Sequence, residues 1–99
     1  MKNERDVKAA VKEILKAAGA WWFMPVASGY GRQGIPDFIA CVDGKFLAIE
    51  TKFGGNTTSP LQKRELEAIE LANGTALVID EGNVQLLPVT LAALRELFR

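Results

Sequence analysis

The stretch "GIPDFIACVDGKFLAIETK", residues 34–52, decides the fold. It contains two apolar runs, "DFIACV" and "KFLAIETKF", separated by Asp43-Gly44. An Asp-Gly pair between apolar runs is a strong signal for a two-residue β-hairpin. Within this hairpin stand Asp37, Glu50 and Lys52, three charged residues in an otherwise apolar setting. Side chains alternate across a strand, so Phe46, Ala48, Glu50 and Lys52 share one face, and Leu47, Ile49, Thr51 and Phe53 the other. Glu50 and Lys52 are then neighbours. Asp37 begins one strand and Glu50 and Lys52 end the next, so an antiparallel hairpin brings the three to one end of a sheet.

Working outward, Val7, Ala10, Val11, Ile14, Leu15 and Ala18 follow helical spacing, with Asn3 as cap and Gly19 as stop. This predicts a helix over 4–18. "AWWFMP", residues 20–25, reads as a strand. Trp21 and Trp22 point to opposite faces, one toward the core and one toward a subunit contact. Residues 26–36 form a glycine-rich loop. Ser59-Pro60 opens a second helix, with Gln62 completing a capping box and Asn73-Gly74 closing it. "TALVID", residues 75–80, is continuously apolar and reads as a central strand. "NVQLLPV", residues 83–89, reads as a further strand, its Pro88 implying an edge. Thr90 is expected to cap a last helix through Phe98. The expected order is α-β-β-β-α-β-β-α, an α/β domain over residues 1–99 with a mixed central sheet flanked by helices.

Composition narrows the chemistry. The 99-residue chain has zero formal net charge, so any nucleic-acid site is a local patch. It contains no histidine, which excludes Ser-His-Asp and Cys-His catalysis and histidine-bound zinc. Chemistry falls to carboxylates, lysine, hydroxyls or a metal held by oxygen. Cys41 is the single cysteine, expected to be a small buried residue, and no disulfide framework exists. The charged start "MKNERDVK" is unlike a signal peptide, and no apolar run is long enough to span a bilayer. A cytoplasmic protein is expected, with no membrane partner.

Two acids and a lysine at one sheet end suit phosphodiester hydrolysis. Two carboxylates about 4 Å apart repel unless a cation lies between them. Mg²⁺ takes oxygen ligands and keeps waters, one of which it can activate for in-line attack. A lysine beside it can position that water or stabilise developing charge. The Thr51 carbonyl, between Glu50 and Lys52, is a further candidate ligand. The plainer alternative is an exposed Glu50–Lys52 pair on an edge strand, with Asp37 a turn residue after Pro36.

"IPD", with "ETK" following on a hairpin after an N-terminal helix, resembles the PD-(D/E)XK nuclease superfamily with its restriction-endonuclease-like core. More narrowly the chain resembles virus-type replication-repair nuclease (VRR-NUC) domains, particularly the short stand-alone phage forms. "SGYGRQGIPD", "KFGGN" and "SPLQ" extend the likeness. The resemblance implies that Asp37 and Glu50, joined by the Thr51 carbonyl, bind Mg²⁺ or Mn²⁺ and that Lys52 is catalytic. It implies that Gln62 faces the site and that Glu4 approaches the metal from the first helix. On a helical wheel Glu4 lies about 40° from the centre of the apolar stripe, so it can point inward. Glu4 as a mere first-turn acid and Gln62 as a mere capping residue remain the alternatives. Arg32, Ser28 and Tyr30 in the glycine loop, with Lys8, Lys12 and Lys63, are candidate DNA contacts. Each has a plain alternative as a turn residue or a solvated lysine.

The resemblance further implies a homodimer that cuts branched DNA such as four-way (Holliday) junctions, in the host-cell cytoplasm if phage-encoded. A restriction-like or single-strand nuclease, or a non-catalytic DNA-binding subunit, are the rival expectations.

Overall fold

The computed structural model describes residues 1–26 and 31–97. Helix α1 spans Glu4–Ala17. The Asn3 side chain accepts a hydrogen bond from the Asp6 amide at 3.0 Å, satisfying one orphan donor of the first turn. Val7, Val11 and Leu15, spaced by four, are buried on one face. Gly19 then turns the chain at φ 69°.

Four strands follow: β1 Trp21–Phe23, β2 Phe38–Val42, β3 Lys45–Thr51 and β4 Thr75–Ile79. The sheet order is β1-β2-β3-β4, with β1–β2 and β2–β3 antiparallel and β3–β4 parallel. The hairpin between β2 and β3 turns at Asp43 and Gly44, both at positive φ (53° and 83°), as the tightest connection requires. Helix α2, Pro60–Leu71, makes the crossover from β3 to parallel β4. Its capping box between Ser59 and Gln62 is present.

One sheet face carries Phe38, Ala40, Val42, Leu47, Ile49 and Ile79, which pack with α1 and with Leu87, Leu91 and Leu94 of helix α3, Leu87–Glu96. This is the core. Trp22 meets Phe38 in a tilted pair, their ring centres 5.8 Å apart and their planes at 54°. α2 reaches the opposite face, where only part of the sheet is covered. Trp21, Phe23, Cys41 and Phe46 are exposed there.

The α/β class and mixed sheet follow the sequence reading, but three expectations do not. Residues 83–89 form no strand. A 3₁₀ turn at Val84–Leu86 leads directly into α3, and Pro88 occupies that helix's first turn. The Asp80 carboxylate accepts from the amides of Gly82 and Asn83, and the Asn83 side-chain oxygen accepts from the Asp80 amide. This clasp reverses the chain at once, so the apolar residues Val84, Leu87, Leu91 and Leu94 are spaced for a helix. The element order is therefore α-β-β-β-α-β-3₁₀-α, and Thr90 lies inside α3 with its hydroxyl donating to the Leu86 carbonyl. Second, β4 is an edge strand and not a central one, since no fifth strand joins it among the described residues. Third, Cys41 is exposed. It shares a face with Trp21 and Phe46, the face that α2 covers only in part. Phe98 lies outside the described residues.

Candidate functional site

The site is built at the junction of β2, β3, α1 and α2. Register pairs Phe38 with Ile49, so one step further sets Asp37 opposite Glu50. The Asp37 carboxylate is fixed by β3 itself: its Oδ2 accepts from the Thr51 amide at 2.9 Å and the Thr51 hydroxyl at 2.6 Å. Thr51 is fully buried, so this double bond locks the aspartate's rotamer.

Glu50 is 3% exposed. Its Oε2 accepts from Gln62 Nε2 at 2.9 Å and lies 3.3 Å from the Lys52 ammonium. Its Oε1 is buried and has no hydrogen-bond partner among the described residues. An orphaned buried carboxylate oxygen is costly unless something absent from the chain satisfies it. Burial, and then the nearby Asp37 charge, hold the Glu50 carboxyl above its ordinary range, against the opposing pull of Lys52.

Gln62 performs both roles that its sequence position allowed. Its Oε1 accepts from the Ser59 amide at 2.9 Å in the capping box, while its Nε2 donates to Glu50. One amide side chain has one acceptor and two donors, so the roles do not compete.

Glu4 comes to the site indirectly. Its carboxylate lies 3.0 Å from the Lys8 ammonium, and Lys8 lies 4.0 Å from Asp37 Oδ1. Burial lowers the Lys8 pKa, but the hydrogen bond to Glu4 and the charge of Asp37 outweigh it and hold the group above its ordinary value. Among the described residues no three acids gather closely enough to hold a metal. What stands ready is a pair, Asp37 and Glu50. Their facing positions, mutual repulsion and the bare Glu50 oxygen fit a hard cation that fills its remaining positions with water.

Arg32 lines the same groove as Asp37 but is bonded to neither Asp37 nor Glu50 among the described residues. Its Nε donates to Glu65 on α2 at 2.9 Å. Glu65 is buried, and sequence reading overlooked it. The available signal was its position three residues after Gln62, on the same side of the helix. Lys8, expected on an outer basic face, stands within the site. Its spacing of four from Glu4 was the readable sign. Among the described residues no hydrogen bond or ion pair joins Lys12 or Lys63 to the site. Ser28 and Tyr30 lie outside the described residues.

A groove of about 330 Å³ opens beside Asp37 and Gln62, walled by the loop of residues 31–36. That loop is pressed against α2 at Gly34, where an added Cβ would stand 2.6 Å from the Leu61 carbonyl carbon. A larger hollow, about 760 Å³, lies between the hairpin turn and the C-terminal half of α2, away from Asp37 and Glu50. The groove is the smaller space but the one that Asp37 and Gln62 line.

No family model matches the chain, and no curated protein matches it either. Solved structures do. A structure described as a VRR_NUC domain superposes with a TM-score of 0.69 at 23% identity, covering 97% of both chains. Hjc, a Holliday junction resolvase from the archaeal hyperthermophile Archaeoglobus fulgidus, gives a TM-score of 0.55 at 22% identity, over 78% of this chain and 67% of that one. The fold is thus that of the VRR-NUC nucleases. Within it, the Asp37–Glu50–Lys52 end of the sheet is this chain's candidate active site.

Proposed function

We propose that this protein is a Mg²⁺- or Mn²⁺-dependent DNA endonuclease that hydrolyses phosphodiester bonds in branched DNA, four-way junctions foremost. One observation carries the reading. Two carboxylates face each other at a sheet end with a lysine 3.3 Å from one of them, and a buried oxygen of that acid has no partner among the described residues.

Asp37 and Glu50 would hold the ion, with the Thr51 carbonyl as a third oxygen. The ion, when bound, supplies an activated water and neutralises charge on the leaving oxygen. Every other part belongs to the chain. Thr51 keeps Asp37 aimed, through two hydrogen bonds. Gln62 holds Glu50 from the opposite side. The Lys52 side chain is only 14% exposed, and its ammonium is held beside Glu50, positioned to orient the attacking water and to meet charge developing on the phosphate. The groove at residues 31–36 admits a backbone, and Lys12 and Lys63 with the glycine loop offer phosphate contacts.

Recognition by shape suits a neutral chain without a base-reading motif. The likeness to a Holliday junction resolvase favours a junction as substrate. Two symmetric strands call for two active sites, which a two-fold homodimer provides. The exposed Trp21, Phe23 and Phe46 offer such a dimer an apolar surface.

The test is cleavage of labelled linear duplex, single strand, flap and four-way junction DNA with Mg²⁺, Mn²⁺ or EDTA. Paired metal-dependent nicks near the junction centre are expected. Lys52→Ala should lower the rate about 10²–10⁴-fold while DNA binding persists. Cutting confined to linear duplex or single strands would make the protein a simpler nuclease. Binding with no cleavage in either metal would leave a non-catalytic DNA-binding subunit.

A further inference from the structure

Lys8, a candidate DNA contact by sequence, stands among acids. Its ammonium stands 3.0 Å from Glu4 and 4.0 Å from Asp37, and feels the Glu50 charge as well. Its side chain is 29% exposed, so it lies at the edge of the site with a path to water. The contact with Asp37 is too long for a hydrogen bond and acts through charge alone. The contact with Glu4 is an i,i+4 pair on one helix, a weak type of ion pair. A cation held this loosely beside acids that repel each other serves as a removable counter-charge.

We propose that Lys8 is an internal stand-in for the metal, a positioning residue that moves off the carboxylates when the ion loads and then meets a DNA phosphate. This rests on the metal-dependent nuclease reading. Before loading, the ammonium offsets the charge of Asp37 and ties Glu4 to the site. Asp37 and Glu50 would hold the ion, whose charge would repel the Lys8 ammonium at this range. With Lys8 displaced, the Glu4 carboxylate would lose its partner and be free to turn toward the site. The long flexible lysine stem lets the ammonium swing outward without moving the helix. Metal loading and DNA affinity are thereby coupled, and the coupling is reciprocal.

The test needs no cleavage. Mn²⁺ binding to the protein without DNA is followed by electron paramagnetic resonance at fixed pH, for the natural chain, Lys8→Met and Lys8→Arg. Lys8→Met keeps the apolar stem and removes the competing charge, so its Kd for Mn²⁺ is expected to fall about fivefold. Lys8→Arg keeps the charge and is expected to bind as the natural chain does. Equal affinity in all three, or weaker binding by Lys8→Met, overturns the proposal. Equal gains in both variants do so too, since they point to packing and not charge. If the natural chain itself binds no Mn²⁺, the metal reading fails, and this inference with it.

Junction DNA binding supplies a second readout, made in a Lys52→Ala background to prevent cutting. Adding Lys8→Met should make the salt dependence shallower by about one phosphate contact with Mn²⁺ present, and leave it unchanged in EDTA. A loss of the same size in both conditions would make Lys8 an ordinary surface contact and overturn the displacement.

Discussion

Glu50 carries a charge that its surroundings disfavour. Burial and the facing Asp37 raise its pKa, with Lys52 and hydrogen bonding only partly compensating. The folded chain therefore holds this proton more tightly than the unfolded chain does. Linkage fixes the sign: stability is greatest below the ordinary value of 4.5 and falls as pH rises through the raised folded value. Glu50→Gln removes that dependence while keeping size and shape. In EDTA, the Tm of Glu50→Gln relative to the natural chain should climb as pH rises from the carboxylate range toward neutrality. A difference independent of pH would show that Glu50 ionises in the fold as easily as in water. If the pair holds Mg²⁺ as proposed, saturating Mg²⁺ should narrow the gap, since the ion would stabilise only the natural carboxylate pair. On the same proposal this variant should not cleave DNA.

At the level of elements, α2 and the loop of residues 31–36 act as a single clamp. Gln62 closes the helix cap and reaches Glu50. Glu65, one turn on, holds Arg32. Gly34, at φ 78°, brings the loop against the backbone of the helix's first turn. Asp37 follows three residues later, so this packing determines where β2 enters the sheet. Gly34→Ala combines an unfavourable left-handed conformation with a contact of 2.6 Å against backbone that cannot yield. Thermal or urea denaturation should show a loss of about 1–3 kcal/mol. Cleavage should fall further than stability explains, because small displacements of a catalytic group are expensive in rate. If Gly34→Ala is as stable as the natural chain, the loop does not rest on α2 as described.

On the scale of the whole molecule, the two sheet faces are unequal. The face with Phe38, Leu47 and Ile49 is sealed by α1 and α3. The other carries Trp21 at 63% exposure and Phe46 at 44%, in one cross-strand row with Cys41 between them. Clustered apolar surface of this kind marks an interaction site. If it is the surface on which two copies meet, Trp21→Arg should weaken association by about 2 kcal/mol or more. Sedimentation velocity would show a dimer becoming monomer, with the single-chain Tm little changed. A natural chain that stays monomeric at high concentration would remove the dimer and, with it, the simplest account of paired nicks. No helix among the described residues is long and apolar enough to cross a membrane.

Sequence by itself determined what local physics controls. The hairpin at Asp43-Gly44, the α1 stripe and the Ser59–Gln62 cap each depend on residues a few positions apart. The convergence of Asp37, Glu50 and Lys52 was legible for the same reason, since strand alternation and a two-residue turn leave one arrangement. Local pattern failed at residues 83–89, where an apolar run with a proline suits either a strand or a helix start. The Asp80–Asn83 clasp and the packing of Val84 and Leu87 into the core decided for the helix. Tertiary structure alone decided which charges meet across elements: Arg32 with Glu65, 33 positions apart, and Lys8 with Asp37. It also left Cys41 and Trp21 uncovered. Periodicity assigns a side chain to a face, but which face a helix covers depends on how the whole chain packs.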